Sequence, residues 1–197
     1  MKERILKTAD RLFYLEGIRA IGVDTIAAEI GISKRTLYNH FPSKDALIAA
    51  YLERRFVQPP PSAPAPSAQT AVAQILATFD SLERRFAAKD FRGCPFVNAV
   101  AEVGNHDRAV KKIAIAFKES RRVWFRERLN ELGVAEADAL ATQLVLLVDG
   151  SIAQDLVRDD PAMARAAKEA AKVLLRNAGV DVGGDAKPMA SDKGTSQ

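Results

Sequence analysis

Seven consecutive residues, Lys34-Arg35-Thr36-Leu37-Tyr38-Asn39-His40, set two cations, three hydroxyl or amide side chains and an imidazole around a single leucine. Wound as a helix of two turns, the segment buries Leu37, with Phe41 just beyond it, and leaves the remaining side chains outside. Such a surface adds little to a core. It suits the major groove of double-stranded DNA, where guanidinium, amide and hydroxyl groups read base edges and cations grip phosphates. The plainer alternative is a polar helix on an ordinary three- or four-helix core.

Other chemistry finds few candidates. The chain has two histidines, His40 and His106, and one cysteine, Cys94. No glycine-rich phosphate loop follows a strand pattern, and His, Cys and carboxylates are not clustered at metal-ligand spacing. The expectation is a protein that is not an enzyme, with no cofactor and no metal. His106-Asp107 reads as a helix cap. Cys94 precedes Pro95 at a helix start, where the helix dipole favours a thiolate, but a lone cysteine is more often a small buried hydrophobe. Packing is the favoured reading.

The elements that position the polar helix follow from local pattern. Residues 2–16 carry Ile5, Leu6, Ala9, Leu12 and Phe13 on one stripe, and Gly17 reads as a left-handed stop. A short second helix spans Val23 to Ile30, with Ile26, Ala27 and Ile30 inward. Gly31 supplies a positive φ, Ile32 plugs the turn, and Ser33 caps the polar helix. Pro42 ends that helix, and Ser43 caps the next, Lys44 to about Phe56. Short helix, glycine turn and second helix match a helix-turn-helix, in which the second helix is the reader.

The whole chain fits an all-α protein. Its 197 residues are 48% hydrophobic, mostly at helical spacing, and the net charge of +4 permits nucleic-acid binding without demonstrating it. One cysteine excludes an internal disulfide. Charges interrupt residues 1–20, and the run Leu144 to Val148 is too short to cross a bilayer, so a soluble cytoplasmic protein with no membrane partner is expected. Gln58–Gln69 holds five of nine prolines and reads as an extended linker. The expected division is a DNA-binding domain at 1–57, a linker at 58–69, a helical body at 70–178 and a disordered tail at 179–197. Body helices are expected near 70–88, 94–103, 106–132, 136–158 and 161–178.

The stretch VDTIAAEIGISKRTLYNHFPSKDALIAAYL, residues 23–52, resembles the N-terminal domain of the tetracycline-repressor (TetR) family of bacterial regulators. The shared marks are the Ile-Ala pair, Gly-Ile-Ser at the turn, Thr-Leu-Tyr in the reading helix, and His-Phe-Pro-Ser-Lys with a trailing leucine. The likeness runs over about residues 3–52. Gly22 departs from it, standing where many relatives carry a Ser or Thr cap. The resemblance implies a transcriptional regulator, commonly a repressor released from a palindromic operator by a small molecule. It implies base-edge roles for Arg35, Thr36 and Asn39, and phosphate contacts for Tyr38 and Lys44. Lys34 and His40 would lie at the margin, and Thr25 would touch the adjoining backbone. The segment RGCPFVNAVAEV resembles a subgroup with a Gly-Cys-x-x-x-Asn-Ala pattern at the sixth helix.

Two further expectations concern the body. Residues 140–148 are apolar nearly all round, and the alanine-rich helix 161–178 is apolar on more than one face. A helix with two apolar faces needs two partners, so helices 136–158 and 161–178 are expected to form a homodimer interface. Most of the aromatic residues between head and interface read as ordinary core, and some are expected to line a pocket for an unknown ligand. Phe96, Phe117 and Trp124 are its candidate walls, and Asn98, Gln143 and Asp149 its candidate polar groups. Because a proline linker couples loosely, the first helix is expected to pack directly on the body near Cys94.

Overall fold

The described residues of the computed structural model, 1–57, 70–104 and 107–183, form nine helices and no strand. In order they are α1 Lys2–Glu16, α2 Val23–Glu29, α3 Lys34–His40, α4 Lys44–Val57, α5 Ala71–Phe86, α6 Pro95–Val103, α7 Arg108–Glu131, α8 Ala137–Arg158 and α9 Ala162–Asn177. The all-α expectation holds, and each helix falls within a few residues of its expected place. The proline-rich segment, His106 and residues 184–197 lie outside the described residues.

Local chemistry explains the boundaries. Ser33 Oγ accepts from Thr36 N at 3.0 Å, and Ser43 Oγ accepts from Ala46 N at 3.0 Å. Asp107 Oδ1 accepts from the N–H groups of Ala109 and Val110 at the start of α7. Gly31 has the expected positive φ of 69°. Gly17 differs. Its φ of 96° is the positive value that favours glycine, but the ψ of 149° takes it outside the left-handed helical stop expected.

Two hydrophobic clusters divide the interior. The first joins α1–α4 to Phe96 and Ala99 of α6 and to Val110, Ala114 and Phe117 of α7. The core of the head therefore continues into the body. The second packs α5, the C-terminal half of α7, α8 and α9 around residues such as Phe79, Phe125, Leu144 and Leu175. By length and composition α8 is apolar enough to cross a membrane, yet its buried face packs on α5, α7 and α9. The tail expectation needs a correction at its start. Val180 is buried and its N–H donates to Leu175 O, so residues 179–183 close the end of α9.

One carboxylate on α8 is buried without full compensation. Asp155 on α8 is 3% exposed, and its Oδ1 has no hydrogen-bond partner among the described residues. Burial raises its pKa above the ordinary carboxylate range, and the nearby Asp159 and Asp160 push the same way. A raised folded pKa means stability is fully present below the unfolded value and is lost as pH rises through the folded one. Asp155→Asn should therefore raise Tm near pH 7 by a few degrees. The gain should vanish in acid below the ordinary aspartate range. Thermal unfolding across pH checks both arms.

Candidate nucleic-acid interface and effector groove

Helix α3 presents its polar surface because Leu37, fully buried, anchors it to the first cluster. Arg35 and Asn39 are exposed and Tyr38 is 39% exposed. None of the three forms a hydrogen bond or ion pair among the described residues. Thr36 and His40 are half-buried, and the Thr36 hydroxyl lies 2.9 Å from Ser33 Oγ. Lys34 Nζ sits 2.9 Å from Asp24 Oδ2 on α2, and that hydrogen bond raises the lysine pKa. The pair is exposed, so opening it towards a phosphate costs little. Thr25, beside Asp24, is exposed on the same helix.

The helix-turn-helix is clamped to α1 from outside. Arg11 pairs with Glu29, and Arg4 donates to Ile30 O at the end of α2 at 3.2 Å, satisfying a terminal carbonyl. Lys44 carries a duty that the sequence did not suggest. Its half-buried ammonium donates to Ile18 O at 2.6 Å, tying the start of α4 to the α1–α2 turn. Burial lowers its pKa, opposed by the charges of Glu102 and Asp45.

Head and body meet along a seam centred on Tyr14. The hydroxyl donates to Gly93 O at 3.1 Å and accepts from Arg92 N at 2.9 Å and from the Arg85 guanidinium at 3.3 Å. Gly93 is required there by its φ of 76°, and an added Cβ would lie 3.3 Å from Leu156 of α8. At the other end of α6, Glu102 Oε2 accepts from Arg19 N at 2.8 Å. The expected contact between the first helix and the region of Cys94 is present. Neither Tyr14 nor Glu102 was identified from sequence, since each looks like an ordinary side chain on an amphipathic helix and its partner lies far along the chain. Tyr14→Phe leaves Arg92 N–H and Gly93 O short of a partner and should cost about 1–3 kcal/mol. Thermal unfolding should report it as a Tm lower by several degrees.

A groove of about 440 Å³ opens between α6, α7 and α8. Its floor is apolar, built from Phe96, Val97 and Val100 of α6, Ile115 of α7, and Val145 and Leu146 of α8, with Lys111, Lys118 and Arg122 also lining it. Of the six residues expected at a ligand site, Phe96 lines this groove. Phe117 stacks on Phe96 with ring centroids 3.8 Å apart, and Asp149 pairs with Lys118 at 2.5 Å. The other three are not brought to it. Asn98 Nδ2 donates to Arg92 O at 2.6 Å, Trp124 packs edge-on against Phe125 at the second cluster, and Gln143 is exposed on α8. Cys94 is half-buried at the N-cap of α6 and packs on the first cluster.

A helix-turn-helix with an exposed polar second helix, packed onto a larger helical bundle, is the architecture of a DNA-binding transcriptional regulator. Comparisons with known proteins agree. Residues 5–51 match the family model for bacterial regulatory proteins of the tetR family, and residues 71–170 match that for the LmrA/YxaF-like transcriptional regulator C-terminal domain. The HTH-type transcriptional regulator LmrA of Bacillus subtilis is 31% identical over 158 residues, covering 77% of this chain and 84% of its own length. YxaF of the same organism is 27% identical over 191 residues, 90% of this chain and 96% of its own. Among solved structures, a TetR-family regulator from Streptomyces avermitilis superposes with a TM-score of 0.81 at 30% identity, covering 91% of this chain and 98% of that one. SCO4454 from Streptomyces coelicolor gives 0.80 at 33%, with 89% and 94% covered. The chain belongs to the TetR family of bacterial transcriptional regulators, with a C-terminal domain of the LmrA/YxaF-like kind. The family is not enzymatic, and its regulators bind DNA and form dimers.

Proposed function

We propose that the chain is a homodimeric, cytoplasmic repressor released from a palindromic operator when a small apolar molecule enters the groove between α6, α7 and α8. The observation that carries this reading is the double use of α6. Phe96, Val97 and Val100 line the groove, while the Gly93 carbonyl just before the helix holds Tyr14 of α1 and Glu102 holds the α1–α2 turn at Arg19. A ligand that parts α6 from α7 and α8 acts on the head through those two ties and not through the linker. The division into a head at 1–57 and a body at 70–178 is then functional, although the first cluster runs through both.

In this reading Arg35, Thr36 and Asn39 read base edges, Tyr38 and Lys44 grip phosphates, and Thr25, Lys34 and His40 lie at the edge of the contact. The dimer forms through α8 and α9. Leu146 and Val157 on α8 and Val173 on α9 are 65%, 84% and 51% exposed in the protomer, an apolar surface that asks for a partner. The twofold then sets two reading helices against two half-sites.

The groove is tested with anilinonaphthalene sulfonate, a dye that brightens on apolar surfaces. Compounds that displace it should release labelled DNA, and Ile115→Trp, which fills the groove from an exposed position, should abolish displacement while DNA binding persists. Displacement and release unaffected by Ile115→Trp would remove the effector role of this groove.

A further inference from the structure

A second pocket, of about 280 Å³, lies on the seam between one face of α1, the end of α4 and Asp90 in the α5–α6 connection. It is polar where the groove is apolar. Four cations, Lys7, Arg11, Arg54 and Arg55, face two carboxylates, Asp10 and Asp90.

The four cations are not equally engaged. Arg55 is committed to Asp10, with Nε and one terminal nitrogen on its Oδ1 at 2.6 and 2.5 Å and the guanidinium 4.3 Å from the Tyr14 ring centre. Arg54 is held at one terminal nitrogen by Glu3, which is 70% exposed, while its buried Nε has no hydrogen bond among the described residues and stands 3.6 Å from Asp10 Oδ2. Arg11 pairs with Glu29 in an exposed contact. Lys7 forms no hydrogen bond or ion pair among the described residues. Three cations from two helices thus converge on one cavity with donors to spare, and a buried guanidinium N–H lacks an acceptor.

We infer that this pocket binds a small oxyanion carrying two or more negative charges, bridging Lys7 and Arg11 of α1 to Arg54 of α4. Charge-assisted hydrogen bonds to three cations outweigh the exposed Arg11–Glu29 and Arg54–Glu3 pairs, since surface pairs contribute only about 0–1 kcal/mol each. Asp10 and Asp90 limit the anion to a small one held on the side of the free donors. Tyr14 floors the pocket with its ring and sends its hydroxyl to Gly93 and Arg92, so an anion here bears on the tie between head and body. The site is independent of the apolar groove.

Isothermal titration of the full chain with pyrophosphate and, separately, citrate tests the inference and separates a phosphate from a polycarboxylate source. Saturable binding of either is expected. Arg54→Gln should weaken it about tenfold and the exposed Lys7→Gln about threefold, while Arg35→Ala, on the DNA-reading surface, leaves it unchanged. Absence of saturable binding by both anions overturns the inference. So does binding that survives Lys7→Gln and Arg54→Gln intact, and a fall with Arg35→Ala would then place the anion on the DNA surface.

Discussion

Val157→Asp should convert the protein to a monomer and reduce operator affinity by at least about a hundredfold. Val157 is 84% exposed in the protomer, so the change leaves the fold and the Tm of the isolated chain almost untouched. In a dimer built on α8 and α9 it places a carboxylate in each copy of an apolar interface. A buried charge without a partner costs about 3–5 kcal/mol, and the twofold doubles it. Loss of the dimer removes the linkage between half-sites, so each head then binds alone. Light scattering after size exclusion reads the mass, and fluorescence anisotropy reads the affinity. A dimer that survives both Val157→Asp and Leu146→Asp would place the interface on another surface.

Arg35→Ala should lower affinity for the operator by about ten- to a hundredfold and relax the preference at one base pair of each half-site. Arg35 is exposed on α3 and forms no hydrogen bond or ion pair among the described residues, so its removal has little structural cost. Lys44→Ala should behave differently. It should weaken binding to every sequence alike and reduce the salt slope by about one. It should also lower Tm, because the same ammonium holds Ile18 O. Competition titrations with single-base operator variants at several salt concentrations separate the two patterns. Equal loss on all sequences for Arg35→Ala would make it a phosphate contact.

The polar surface of α3 was legible because it is local. Ser33, Leu37 and Pro42 fix the ends and the buried face of α3 within a ten-residue window, and capping and period act at that range. The helices of the body were legible for the same reason. What could not be read were contacts made across the chain. Tyr14 meets Gly93 from 79 positions away, and Arg19 meets Glu102 from 83. No spacing rule connects such pairs. Polar residues near an apolar run mislead in a related way. Asn98 looked available for a ligand, yet it serves the carbonyl of Arg92 at the turn before its own helix. Asp149 looked in need of a partner and has one, Lys118, on the neighbouring helix. Lys44 shows the limit of a resemblance, which supplies a role at the DNA but not the hydrogen bond that holds α4 to the turn behind it.

The most direct measurement is a footprint of the purified full chain on the DNA flanking its own coding region, at about 150 mM salt, where non-specific binding is weak. The account predicts a protected pseudo-palindrome with half-sites one or more helical turns apart, bound at least about a thousandfold more tightly than a shuffled duplex and lost with Arg35→Ala. Equal affinity for flanking and shuffled DNA, unchanged by Arg35→Ala, would contradict the assignment of α3 as the operator-reading helix.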